Sequence, residues 1–339
     1  MITRNELARF AEVCAAIGSE VADDDGFVPV RKLLARFHAN LMIRPLLVEG
    51  MLASIDRHSE VEATAGRWAV LVDSETYSVS KRAIEEESST QPLPSRFRNT
   101  VAHELAHSLA FRPSEFGIQL RGQIDNEESQ KELVKAIERE TEQLSPLLLL
   151  PDKAIGKFLS GKKQALSIED FVLLYRSMGV SRYLLIRRLG SLRPTNDLRN
   201  RDGLKDIAIG IGKWIDGRNA VLKGWPVFMN FDKNIIPTFL LKLVDRDFLP
   251  AMTVFPDESF AMCGGPNNTI ELETDAGVTD APNSGSMKIQ CSIENVNRKA
   301  EAEFLYVVRK QVVRQPEKPA TKKDSSVEVS QLQLFHCKT

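Results

Sequence analysis

His103-Glu104-Leu105-Ala106-His107 decides how this chain is read. The stretch has the H-E-x-x-H spacing. On a helix, residues four apart share a face, so the two imidazoles can grip one ion between them. Glu104 is turned about 100° from His103 around the same helix, where its carboxylate can take a proton from a water beside that ion. The chain has five histidines, and a pair of them stands in this pentapeptide.

The flanks predict the helix. Phe97, Val101, Leu105 and Leu109 recur every four residues, with Ala102 and Ala106 beside them, which is an apolar stripe at helical spacing. Pro92 and Pro94 precede it, Ser95 offers an N-cap, and Pro113 stops it. The histidines then sit beside a buried stripe. A chance match on an ordinary amphipathic helix is the competing account, and the scarcity of histidine argues against it.

Two histidines leave zinc short of protein ligands, because a catalytic site usually has three and keeps one position open. After the motif no histidine follows until His336, and His38 and His58 lie upstream. A carboxylate is the expected third ligand. In the segment Asn126 to Leu150, Leu133, Ile137, Leu144 and Leu148 make a helical stripe. Glu138 and Glu142 lie four apart on a face next to it. Either could serve on spacing alone, and a solvated acidic face is the plain alternative.

These segments carry a resemblance. The HELAH motif is followed by Ile137-Glu138-Arg139-Glu140-Thr141-Glu142-Gln143-Leu144 and by Leu147-Leu148-Leu149-Leu150-Pro151. Together they resemble the ImmA/IrrE family of zinc metallo-endopeptidases, whose second motif runs roughly E-x-x-A-N-x-F-A-x-x-L-L-x-P. Matched on the closing Leu-Leu-x-Pro, the family's metal-binding Glu falls on Glu138, its Ala on Thr141, its Asn on Glu142 and its Phe on Leu144. The resemblance implies one zinc ion per chain on His103, His107 and Glu138, with Glu104 as the catalytic base of peptide hydrolysis. Glu142 is then expected to accept an imidazole N–H and so aim the ring. Pro146 is expected to kink or end the helix about one turn after Glu142.

Ser167 to Arg176 reads as a helix, Ser177 to Val180 as a turn, and Ser181 as the cap of a second helix through Leu189. This is similar to the family's closing helix-turn-helix. Arg67 to Asp73 alternates Trp68, Val70 and Val72 against Ala69 and Leu71 and predicts a strand, with Tyr77 to Ser80 continuing the sheet. In zincins substrate backbone pairs with an edge strand beside the zinc helix, and this segment is expected in that role. Tyr175 and Tyr183 are weak candidates for a second oxyanion donor.

The implied fold is α+β. A mostly helical zincin-like metallopeptidase domain with a small sheet occupies 1–160, and a helix-turn-helix segment 161–200. A β-rich, GAF-like sensory domain follows over 201–312, and a disordered tail over 313–339. Before the metal helix, Glu6 to Ile17, Val30 to His38 and Pro45 to Ile55 read as helices. Strands are predicted at Ile207–Ile211, Pro226–Phe231, Thr238–Val244, Ala251–Phe255, Thr269–Glu273 and Met287–Ile293, between Gly, Asn, Asp and Pro turn formers. Ala300 to Gln311 reads as a closing helix or strand.

The chain has 339 residues and a formal net charge of −1, which argues against strong nonspecific nucleic-acid binding. The run from Arg176 to Lys223 is locally basic. It is a solvated face or a surface for DNA, as an activating signal or through the substrate. No apolar run approaches the ~20 residues of a membrane helix, and the N-terminus lacks a signal-peptide pattern, so a cytoplasmic protein is expected. Four cysteines form no CxxC pair. Cys263, in a flexible stretch, is a thiol that could fill zinc's open position and hold the enzyme latent, although an ordinary cysteine is the simpler account.

The family's members cleave helix-turn-helix transcriptional repressors, which releases stress, DNA-damage or phage-defence genes. The resemblance therefore implies a regulated, site-specific protease. The rival readings are a DNA-binding regulator and an inactive peptidase-fold partner protein, each with a structural zinc.

Overall fold

The apolar stripe around the motif folds as α4 (Ser95–Phe111) in a computed structural model of the chain. The structure describes residues 4–54, 68–111, 138, 141–192, 197–199, 201–214, 220–229, 269–273, 287–294, 296 and 302–312. Phe97, Val101, Leu105 and Leu109 are fully buried, so the stripe faces the core as its spacing requires. The helix begins one residue earlier than a Ser95 cap implies: Arg98 N–H donates to Pro94 O at 3.0 Å.

Around α4 lie α1 (Arg4–Val21), α2 (Val30–Arg36), β1 (Ala39–Arg44), β2 (Gly50–Ser54), β3 (Trp68–Asp73) and α3 (Lys81–Glu85). The three strands form one sheet in the order β1-β3-β2, with β1 parallel and β2 antiparallel to β3. The helix expected over Pro45 to Ile55 is therefore a turn and a strand. Its apolar residues fit a helical period, but pairing of Gly50–Ser54 with Val72–Trp68 overrides that local preference. The expected continuation of the sheet at Tyr77 to Ser80 is not a strand. Asp73 ends β3 instead, and its carboxylate accepts from the N–H groups of Leu46, Glu75 and Thr76 and from the Thr76 hydroxyl.

Those bonds, led by the Thr76 hydroxyl, hold the Asp73 carboxyl down at about 2. A folded-state value below the unfolded one makes the ionised carboxylate stabilising. The contribution is complete above about pH 4 and fades as pH falls through about 2. Asp73→Asn is expected to lower the midpoint of thermal unfolding at pH 7, with the two proteins converging near pH 2. Equal midpoints at pH 7 would refute this.

After α4 the described chain resumes at Glu138 and continues through α5 (141–149), α6 (Asp152–Leu159), α7 (Ile168–Ser177) and α8 (Arg182–Gly190). Pro146 does not end α5: the helix runs on, and Leu150 N–H donates to Pro146 O at 2.9 Å. The helix-turn-helix expected from the sequence is α7 and α8. Ser167 and Asp170 form a capping box at α7, and Ser181 caps α8 by accepting from Leu184 N–H. Gly179 in the turn has φ 59°, a left-handed conformation that glycine adopts without strain.

The later strands are β4 (Ile207–Trp214), β5 (Ala220–Met229), β6 (Thr269–Glu273), β7 (Met287–Ile293) and β8 (Glu303–Val312). They make an antiparallel sheet ordered β5-β4-β8-β7-β6. The segment left open between helix and strand is thus a strand, β8. The strands expected at Thr238–Val244 and Ala251–Phe255 lie outside the described residues, as do Pro113, His58, Cys263, His336, Cys337 and the expected tail over 313–339. The chain is α+β, and one hydrophobic core runs from Phe10 on α1 through α4 to Ile207 on β4 and Leu305 on β8.

A buried arginine fixes α4 within that core. Arg98 is fully buried, pairs with the buried Glu87, and donates to Val28 O at 2.9 Å and Met178 O at 3.2 Å. Its guanidinium also lies over the Phe27 ring, 4.3 Å from the centroid. Glu87 in turn accepts from Val30 N–H at 2.6 Å. One side chain thus ties α4 to the start of α2, to the turn between α7 and α8, and to the loop after α3.

Candidate metal centre

The helical spacing of α4 puts His103 and His107 one turn apart on the face turned from the core. Their Nε2 atoms lie 3.1 Å apart. Glu138 reaches over both, with Oε1 at 3.3 Å from His103 Nε2 and Oε2 at 3.2 Å from His107 Nε2. All three ligand atoms fall within 4.8 Å of one another, and this is the group among the described residues that could hold a metal ion. Tetrahedral zinc with ligands at about 2.0–2.1 Å would space its donors about 3.3 Å apart. The donor set, two imidazole nitrogens and a carboxylate, fits such an ion in kind and in spacing.

Burial prepares the donors. His107 is held neutral down to about pH 4, first by burial and then by the charge of His103, against the opposing pull of Glu138. Its nitrogen lone pair is therefore available at neutral pH. Glu104 is 8 % exposed and does not belong to the three-residue group. Burial and the neighbouring Glu138 charge raise its carboxyl to about 7, although the Leu52 N–H donates to the charged form. A carboxyl poised there exchanges a proton readily at neutral pH.

That Leu52 N–H belongs to β2, which the sequence reading missed. The expected edge strand, Arg67 to Asp73, is instead the central strand β3, paired on both sides. Among the described strands β2 is an edge, and it lies on α4. A Cβ on Gly50 would stand 2.5 Å from Thr100 Cγ2 and 3.1 Å from Glu104 Oε1, so only glycine lets the strand approach this closely. Around that crossing, Tyr77 donates its hydroxyl to Glu49 at 2.9 Å and lies 2.9 Å from the Thr100 hydroxyl, while Arg96 pairs with Glu49. The start of β2 is thereby fastened to α4 one turn before Glu104. A glycine beside a glutamate before an apolar strand was the signal available in the sequence, and it is a weak one.

Other expected roles fall elsewhere. The Glu142 carboxylate pairs with Arg187 at 2.9 Å. Tyr175 and Tyr183 donate to Glu294 and Glu303 on the C-terminal side of the chain. His38 is exposed in the turn before β1. Much of the basic run is spent on internal partners. Arg182 binds the buried Glu294 through two nitrogens, Arg188 is buried against Asp152 and Leu150 O, and Arg199 and Arg201 donate to Leu192 O and Gly156 O.

No family model matches the chain, and no curated protein matches it. Among solved structures, a Mycobacterium tuberculosis transcriptional regulator is similar at 13% identity. The match covers 89% of this chain and 75% of that one, with a TM-score of 0.39, a likeness too slight to carry an argument. No described helix is long and apolar enough to cross a membrane.

Proposed function

We propose that the chain is a zinc-dependent endopeptidase. The observation that carries this reading is the buried Glu104 carboxyl standing beside, but outside, the three-donor group of His103, His107 and Glu138. A structural metal site has no use for a buried carboxylate that is not one of its ligands. Zinc held by the three residues would polarise a scissile carbonyl and make a neighbouring water more acidic. Glu104 takes the proton of the attacking water and delivers it to the departing amine. The edge of β2, unpaired among the described strands, receives the substrate as an added strand, with main-chain hydrogen bonds drawing it along α4.

The substrate class rests on the resemblance to the ImmA/IrrE family. It is a helix-turn-helix transcriptional repressor, whose cleavage releases stress, DNA-damage or phage-defence genes. The sheet of β4 to β8 is the regulatory half in this reading, joined to α7 and α8 through Glu294. The internal use of Arg182 and Arg188 counts against a reading in which α8 serves mainly to bind DNA.

Elemental analysis of purified protein tests the site. Wild type is expected to carry one zinc per chain, and His107→Ala and Glu138→Ala to lose most of it under the same conditions. A wild type that takes up no zinc after reconstitution would remove the protease reading. With zinc present, cleavage of a helix-turn-helix protein encoded beside this one, mapped by mass spectrometry, identifies the bond.

A further inference from the structure

Pro146 leaves a gap in α5. A helical residue at that position would donate its N–H to the carbonyl four residues back, which is Glu142 O, and proline has none to give. The structure fills the gap from another helix. Arg187 on α8 donates from Nη1 to Glu142 O at 3.4 Å, while its Nη2 pairs with Glu142 Oε2 at 2.9 Å. One planar guanidinium thus holds both the backbone and the side chain of Glu142. Glu142 follows Glu138 by four residues. The start of α5 is tied to Glu138 by Thr141, fully buried, whose hydroxyl donates to Glu138 O at 2.9 Å.

We infer that Arg187 is a positioning residue for the metal ligand Glu138. The inference rests on the metal-site reading above. An exposed ion pair alone is worth little, and both side chains here are about half exposed. The weight of the argument falls on the carbonyl. Without Arg187 the first turn of α5 lacks a donor that the helix itself cannot supply. Glu138, whose carboxylate must sit at a fixed distance from both imidazoles, is tied to that turn by the Thr141 hydroxyl. Groups that hold a metal ligand in place typically account for about 10–100-fold in metal affinity.

The test measures zinc affinity by competition with a chromophoric chelator, using the full chain. Arg187→Met keeps the length of the stem and removes both donors. It is expected to weaken zinc binding at least about 10-fold, with no change in the thermal midpoint of the zinc-free protein. Pro146→Ala restores a backbone N–H in register with Glu142 O. Alone it leaves affinity near wild type, and combined with Arg187→Met it recovers most of the loss. Wild-type affinity in Arg187→Met overturns the inference, and so does a loss that Pro146→Ala does not repair. Both outcomes are distinct from a wild-type chain that binds no zinc, which would overturn the underlying reading instead.

Discussion

On the proposed mechanism, Glu104→Gln is expected to keep wild-type zinc and to lose peptide hydrolysis by roughly 10²–10⁴-fold in kcat, the usual contribution of a positioned general base. The amide matches the carboxylate in shape and can still accept the Leu52 N–H, so β2 should stay in place. It cannot take a proton. Because Glu104 lies outside the donor group, zinc content should equal wild type. The neutral amide also avoids the cost of a buried carboxylate, so stability should not fall. Turnover of a quenched fluorescent peptide library, with metal content measured on the same preparations, separates these effects. A variant that cleaves as well as wild type ends the proposed mechanism, whatever its zinc content.

The second large effect is on stability. Arg98→Met is expected to cost about 3–5 kcal/mol, because it leaves a buried charge without its partner. Glu87 would remain fully buried beside no cation, and the Val28 and Met178 carbonyls would lose their donor. Arg98→Lys should recover little, since one ammonium cannot reach three acceptors in a planar arrangement. Chemical denaturation at neutral pH measures the difference. A loss below about 1 kcal/mol would show that the cluster is not the anchor of α4, and would place it with weakly coupled ion pairs.

These residues also show what the sequence could and could not reveal. His103, Glu104 and His107 were legible because a helix converts fixed spacing directly into shared faces. Glu138 was legible through the motif around it, and its convergence on the two imidazoles agrees with that choice over Glu142. The partner of Glu142 was not, because Arg187 comes from another helix and is brought in by tertiary packing alone. β2 was misread as helix because Leu47, Val48, Met51, Leu52 and Ile55 satisfy a helical period, while the pairing that makes a strand of it depends on β3. Arg98 gave no sign at all. Beside Arg96 it reads as a solvated base, and only the three-dimensional fold shows that one of these arginines is exposed and the other sealed. The α7–α8 pair was legible because its signals are local: Ser167, Gly179 and Ser181 act on their own neighbours.

The crossing of β2 over α4 has one more consequence. A strand edge able to take up a peptide can equally take up its twin from another molecule, and unprotected edges are where sheets begin to aggregate. β2 is only five residues long, and its Leu52 N–H lies against the Glu104 carboxylate. Glu104 therefore stands guard over this edge. In the resting chain it makes the edge a poor template for self-assembly, and a partner strand must compete with it for the Leu52 N–H before it can extend the sheet.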